Sequence, residues 1–494
     1  MKRIHLLCFA MLVSGTSLLA GGLVTNTNGS AAWARTLTRE ASTDVDAVYF
    51  NPAGLAQLKN GLSLSVSNQT IFQTRTITSD YPYMTDVPES CYEAELTAPI
   101  FPGIYAAYKM DKLAFSAGFN IIGGGGSANF EQGLPSFEIP VASLVPTLQG
   151  SLLPIDQAIE AALGVNPGFS NVTGYSMDAG FNGASTYMGF QVGVTYAIMD
   201  MLSVAIGGRY VTASNSYEGS LANVMIDAPA VYGGTQPAGT YLRTVSTQVT
   251  PYNPAAGAQL DATAAALDVA TADAELSAVQ KGSGFTPIVS VNLNLIDKIN
   301  IAAKYEHHTK IELTNETDVD DVGMFPDGEK TRADLPGMFS LGASVSPIDK
   351  LKASVGFNYF LDIPAYYGNV NASGEQINNE TTIDENAYTL AASLEYKLLG
   401  ILGLSGGYSF GNLGVNDDYQ SDLSYALKSS TVAGGVFVEV GELLTVNAGF
   451  VYVMYDDYTE ALSYLPTGFP QAVPYNNTYG KNTIIIAVGV DITL

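Results

Sequence analysis

The sequence predicts an all-β fold, a transmembrane antiparallel β-barrel of about fourteen strands with an N-terminal plug and helix-containing outer loops. Three observations predict it. Only 14% of the 494 residues are charged while 47% are hydrophobic, whereas soluble domains carry about 25% charged residues. Beyond an N-terminal apolar stretch, no run of about 18 apolar residues marks a membrane helix. Apolar residues instead recur at every second position, the period of a strand with one face in lipid.

Residues 1–20 read as a signal peptide. Lys2 and Arg3 supply its positive start, and the apolar stretch from Ile4 to Leu19 is broken by His5, Ser14, Gly15, Thr16 and Ser17. Ala20-Gly21-Gly22 then marks cleavage near Ala20. The apolar part is too short and too interrupted for a membrane helix. Removing it takes away Cys8 and leaves Cys91 as the remaining cysteine, so an intramolecular disulfide is excluded.

Residues 21–60 precede the first alternating segment and contain Asn51-Pro52-Ala53-Gly54. Pro52 fixes φ and pushes Asn51 into an extended conformation, and Gly54 permits a sharp reversal. A fourteen-stranded barrel is too wide for side chains to fill, so it conducts water or needs a plug. This segment is placed to be that plug, with Asn51, Pro52, Ala53 and Gly54 as its gate. The plainer reading of the tetrapeptide is an ordinary turn leading into a strand.

Residues 61–494 form the barrel. At the C-terminus Ile484, Ile486, Val488, Val490, Ile492 and Leu494 alternate with Thr483, Ile485, Ala487, Gly489, Asp491 and Thr493. Segments 185–196 and 351–361 alternate as clearly. Tight connections are expected at 110–112, 199–201, 296–298, 348–350, 399–401 and 441–443. They separate long polar stretches at 75–96, 123–182, 219–283, 315–334, 362–384, 414–424 and 456–480. Short periplasmic turns facing long outer loops are the asymmetry of bacterial outer-membrane barrels. Strands are then predicted at 61–74, 98–110, 113–122, 183–198, 201–218, 284–296, 299–314, 335–347, 351–361, 385–398, 401–413, 425–440, 443–455 and 481–494.

Two long loops carry helical patterns. In 141–163, Val141, Leu144, Val145, Leu148 and Leu152 share a helical face, with breaks expected at Pro146 and Pro154. The Ala-rich stretch 255–281 is expected as one helix with a stripe of Leu260, Ala264 and Leu267. Such faces pack on each other and on the rim, or wall an apolar groove, or do both. Within the lumen, period two turns Arg209 and Lys304 inward, with Glu306 beside Lys304. These two cations are candidates for a ligand carboxylate; salt bridges to acids of the plug are the plainer reading.

Function classes narrow accordingly. With 21 Lys+Arg against 47 Asp+Glu the net charge is −26, which leaves no footprint for nucleic acid. Past the signal the histidines are His307 and His308, and no motif singles out a serine, so catalytic residues are not expected. Asp318-Val319-Asp320-Asp321 lacks the spacing of a calcium loop, and neither a metal nor a cofactor is expected.

Residues 21–60 resemble the hatch of the FadL family of outer-membrane long-chain fatty-acid transporters, which also includes aromatic-hydrocarbon channels. The matching points are Gly29-Ser30-Ala31-Ala32, the acidic stretch Asp44 to Asp46, and Asn51-Pro52-Ala53-Gly54-Leu55 just before the first strand. The resemblance implies a passive channel for hydrophobic molecules in a Gram-negative outer membrane. Fatty acids or similar apolar compounds would be captured between loop helices, at Val141, Leu144, Val145, Leu148 and Leu152, and passed through a hatch-plugged barrel. It also implies a monomer inserted by the barrel assembly machinery and surrounded by outer-membrane lipids. One departure is the final Leu494, where such barrels commonly end in an aromatic residue. Gly123 to Gly126, at the top of a strand, is where a lateral exit is to be sought. The alternative function is a water-filled porin for small polar solutes, which requires an open lumen and no plug.

Overall fold

Strands with an apolar outer face and a polar inner face can bury neither in water, so they close on themselves in lipid. In the computed structural model, which describes residues 25–295, 298–368, 378–441 and 443–494, fourteen antiparallel strands close in this way. The expected signal peptide, residues 21–24, residues 296–297 and 442 of two expected tight connections, and 369–377 of the expected polar stretch 362–384 lie outside the described residues.

In chain order the strands are β1 (Gly61–Ser79), β2 (Cys91–Met110), β3 (Leu113–Phe130), β4 (Tyr175–Met199) and β5 (Leu202–Asp227). β6 (Ala274–Leu295) follows, then β7 (Ile299–Glu306, continued by Glu312–Asp320) and β8 (Lys330–Arg332, continued by Gly337–Ile348). The circuit ends with β9 (Leu351–Leu361), β10 (Tyr388–Lys397), β11 (Leu402–Asn412), β12 (Ser429–Val440), β13 (Leu444–Tyr455, continued by Tyr458–Tyr464) and β14 (Val473–Thr493). β14 pairs back onto β1 from Ser63↔Thr493 to Ser79↔Asn477, which leaves no open edge. Outward residues are apolar and exposed, as with Phe190, Val192, Val194 and Tyr196 on β4. Inward neighbours are polar and buried, as with Ser63, Ser65, Ser67 and Gln69 on β1.

The turn side follows the sequence reading closely, with two-residue connections at Asp111-Lys112, Asp200-Met201 and Asp349-Lys350. The outer side does not. β4 and β5 run for 25 and 26 residues, although about 9–11 suffice to cross the hydrocarbon. Their outer ends run on past the length the hydrocarbon needs, with Ser176 and Asp178 exposed, so outward positions there need not be apolar and the alternation fades.

The loop helices also differ from expectation. α3 (Pro135–Ala142) and α4 (Leu144–Leu163) break at Ser143, not at Pro146 or Pro154. Pro146 sits in the first turn of α4, where its missing N–H removes no intrahelical bond. Pro154 is carried within α4, held by burial of Leu148 and Leu152. The expected helix 255–281 ends as α6 (Pro254–Ala270), and Ala274 onward is β6. There Leu276 and Ala278 alternate inward and Ala274 pairs with Leu221 of β5. A helix not expected, α5 (Ala238–Val249), buries Tyr241, Leu242, Val245 and Val249 against α4 and α6.

Residues 25–60 lie inside the ring of strands. Helix α1 (Ala31–Thr36) packs on β10 to β14, and α2 (Ala47–Phe50) on β2 to β4. A 3-10 turn over Pro52–Gln57 packs on β4, β5 and β6.

Candidate functional site

The floor of the site is the N-terminal segment, and the wall holds it by many polar contacts. Asn51 Nδ2 donates to Ser42 O at 3.0 Å and to Asn292 Oδ1 of β6 at 2.7 Å. Ala53 N donates to Ser290 Oγ at 2.8 Å, while Thr195 Oγ1 and Ser203 Oγ donate to the carbonyls of Pro52 and Ala53, each at 2.7 Å. The tetrapeptide is thus fastened to β4, β5 and β6. Gly54 is required by close approach, because a Cβ there would collide with Ser42 O.

The charges of this segment are paired internally or to the wall. Arg39 grips Asp46 with Nε to Oδ2 at 2.8 Å and Nη2 to Oδ1 at 2.6 Å. Ser30 and Ser42 hydroxyls donate to the same carboxylate at 2.8 and 2.6 Å. Arg35 pairs with Glu395 of β10 and lies over the Phe437 ring at 4.5 Å. Glu40 accepts from Asn358 Nδ2 at 2.8 Å, and burial pushes its carboxyl above the usual range. Room for it comes from Gly342 and Gly356, register partners on β8 and β9, where Cβ atoms would strike Ala41 N and the Glu40 carboxylate. Gly407 and Gly449 likewise admit the backbone of Thr36 and Ala34.

Between this floor and the outer loops lies a cavity of about 420 Å³. Thr25, Asn26 and Asn28 form its base, Ile71 and Ile485 its β1–β14 wall, and Leu423, Tyr425 and Leu427 its roof. Beside that wall, on β2 and β3, stand Leu96, Gly124, Gly125, Gly126 and Phe130. On that side the barrel ladder is interrupted: β2 and β3 pair at Gly103↔Asn120 and not again until Glu95↔Asn129. β3 bends there, with Gly124 and Gly125 at φ 61° and 109° and two bulges against β4. The bent stretch bonds to the floor, with Asn26 N to Ile122 O at 2.7 Å and Asn26 Nδ2 to Gly124 O at 2.9 Å. A separate recess of about 380 Å³ on the turn side is polar, with Arg35, Asp44, Lys352, Glu395 and Asp491 in its lining.

The residues singled out from sequence fall in three places. Asn51, Pro52, Ala53 and Gly54 are buried in the floor. Arg209 and Lys304 come together around Glu306, below the cavity and outside its lining. Their partner is this acid of β7, not one from the plug as the sequence suggested. Val141 is buried in a roof cluster with Tyr81 and Tyr92, while Leu148 and Leu152 are covered within the helical loop core. Leu144 and Val145, half-buried, bridge the two clusters, and none of the five lines the cavity. The sequence reading missed Arg75 and Lys481, which do line it. Both turn inward by period two, but they lie just past one expected strand end and at the edge of another.

A closed barrel with an apolar outer belt, with its own N-terminal segment inside the ring and helical loops at one end, defines a membrane barrel. The structure is similar to that of a Pseudomonas aeruginosa FadL homologue, with TM-score 0.61 and 10% identity over 96% of this chain and 100% of that one. It is also similar to the Pseudomonas putida toluene transporter TodX, with TM-score 0.54 and 13% identity over 97% and 100% of the two chains. The fold is therefore the FadL-type barrel. No protein-family model and no curated protein sequence matches the chain.

Proposed function

We propose that the protein is a passive outer-membrane channel for hydrophobic molecules, of the kind the FadL-like fold and the toluene transporter TodX suggest. The observation that carries this reading is the lumen cavity of about 420 Å³, walled by Ile71, Ile485, Leu96 and Phe130 and closed below by residues 25–60. Ligand enters through the outer loops, rests in the cavity, and leaves sideways where the β2–β3 ladder is interrupted. Passage downward would mean breaking the Arg39–Asp46 and Arg209–Glu306 pairs and crossing a charged recess, a costly route for an apolar solute. Sideways passage displaces Leu96 from a glycine-lined bend.

In this reading residues 21–60 are the plug, the Asn51–Gly54 turn is its latch, and the barrel acts as a monomer among outer-membrane lipids after insertion by the assembly machinery. Long-chain fatty acids and aromatic hydrocarbons are both candidate solutes. A water-filled porin fits poorly, because segment 25–60 occupies the lumen. The test is uptake of a hydrophobic solute by cells making the protein, together with planar-bilayer conductance. Saturable uptake with low conductance supports the channel; high conductance with no hydrophobic uptake overturns it.

A further inference from the structure

A row of aromatic residues crosses the lipid-facing wall from β5 to β9. Tyr210 of β5 is the register partner of Phe285 on β6, and Tyr305 of β7 is that of Phe339 on β8, which also partners Tyr359 of β9. Tyr210, Phe285 and Phe339 are exposed, and on the turn side of the row Val289, Val291 and Ile301 face the hydrocarbon. Aromatic rows of this kind mark the depth at which hydrocarbon gives way to headgroups.

Just past the row, toward the outer loops, three lysines stand on β6, β7 and β8. Lys281 shares the face of Phe285 four residues on, and Thr314 of β7 is the register partner of both Lys281 and Lys330. Lys310 is exposed between the buried Thr309 and Ile311, on the β7 stretch between Tyr305 and Thr314. Lys281 pairs with Glu316 and Lys330 with Glu312, all four side chains more than half exposed. Exposed pairs like these contribute little and are screened by salt, so either lysine turns readily to another anion. Among the described residues Lys310 forms no ion pair.

We infer that Lys281, Lys310 and Lys330 bind the phosphates of the phosphorylated glycolipid of the outer leaflet, whose acyl chains lie on the apolar wall below the aromatic row. Phosphates sit just outside the hydrocarbon, the depth at which these lysines stand, and basic clusters at that depth recognise anionic headgroups. Lysine stems run along apolar surface while their ammonium groups reach the phosphate oxygens. Lys281 and Lys330, two strand spacings apart, set their Cα atoms about 10 Å from each other, with Lys310 nearer the aromatic row. The charge beyond them selects a lipid over a free anion. The end of β7 and its loop carry Asp318, Asp320, Asp321 and Asp327, in a chain with 47 acidic residues against 21 basic ones. A free anion arriving from water meets that repulsion, whereas a lipid is held from below by its chains.

The experiment is equilibrium binding to the purified full-length protein in maltoside micelles, with bisphosphorylated lipid A and its fully dephosphorylated form as probes. The phosphorylated lipid is expected to bind about ten-fold or more tighter, the scale of one charge-assisted bond, and the preference should shrink as salt is raised. Lys310→Gln, which leaves both ion pairs in place, should reduce the preference several-fold. Adding Lys281→Gln and Lys330→Gln should abolish it while heat-modifiable folding persists. Lys112→Gln, in a turn at the opposite end of the barrel, should keep it, and inorganic phosphate should not displace the lipid. Equal binding of the two lipids, a preference that survives the triple substitution, or displacement by inorganic phosphate overturns the inference.

Discussion

Arg209 and Glu306 meet fork to fork inside the lumen, with Nη1 to Oε2 at 2.7 Å and Nη2 to Oε1 at 2.9 Å. Lys304 Nζ joins the same carboxylate at 2.6 Å and donates to Tyr49 O at 2.9 Å, so the cluster ties β5 and β7 to the N-terminal segment. Glu306 is the one anion this set shares, and removing it leaves two buried cations uncompensated, at a cost of about 3–5 kcal/mol. Glu306→Gln should therefore lower the urea midpoint of the folded barrel markedly. Because Glu306 does not line the cavity, ligand affinity per folded molecule should be unchanged.

Asn51→Ala removes the bonds to Ser42 and Asn292; Asn292 Oδ1 keeps Asn300 Nδ2, and a buried carbonyl left unpaired at Ser42 costs about 1–3 kcal/mol. The latch should loosen while the fourteen-strand ladder stays intact. Planar-bilayer recordings should show more frequent conducting events than in the unaltered protein, and deletion of 21–48 a persistently conducting pore. A deletion that conducts no more than full length removes the plug from the account.

Burial raises the Glu40 carboxyl in the folded state, with Asn358 Nδ2 and Arg39 N as its donors. An acid raised on folding contributes stability below its unfolded value of about 4.3, and that contribution is lost as pH rises through the folded value. Protease protection of the plug should weaken over that interval in the unaltered protein. Glu40→Gln, which cannot ionise, should lack this pH dependence.

Gly124 and Gly125 adopt φ values of 61° and 109° that residues with a Cβ resist. Replacing both with Val should drive β3 toward regular pairing with β2 and narrow the interruption. The rate of uptake into cells should fall several-fold.

Single cysteines introduced at 317 or 380 should react with a membrane-impermeant maleimide on intact cells, and one at 349 should not. These positions lie on opposite ends of the strands, at the outer end of β7, in the β9–β10 loop and in the β8–β9 turn. Labelling at 349 alone would reverse the orientation.

The barrel was legible because lipid enforces it residue by residue. The alternation of Ile484, Ile486 and Val488 and the tight turn at Asp111-Lys112 survive in the structure almost as drawn. Legibility stopped where the strands run beyond the length that lipid requires, and so 175–182 of β4 and 219–227 of β5 read as loop. Arg75 fell one residue past the expected end of the first strand, and Lys481 stood first in the expected last one. The helical period of Leu148 and Leu152 showed an apolar face but could not show that α5 covers it. α5 itself, rich in Thr and Val, has weak intrinsic preference for a helix and forms through packing.

The glycines facing the N-terminal segment bear on how the molecule is made. Gly342, Gly356, Gly407 and Gly449 form a mould for a chain that leaves the ribosome first, yet the strands bearing them come late. Helix α1 rests on β10 to β14, so its seat does not exist until most of the polypeptide has been exported. Docking of the segment is therefore a late step of assembly, and a barrel caught before it would hold an empty lumen.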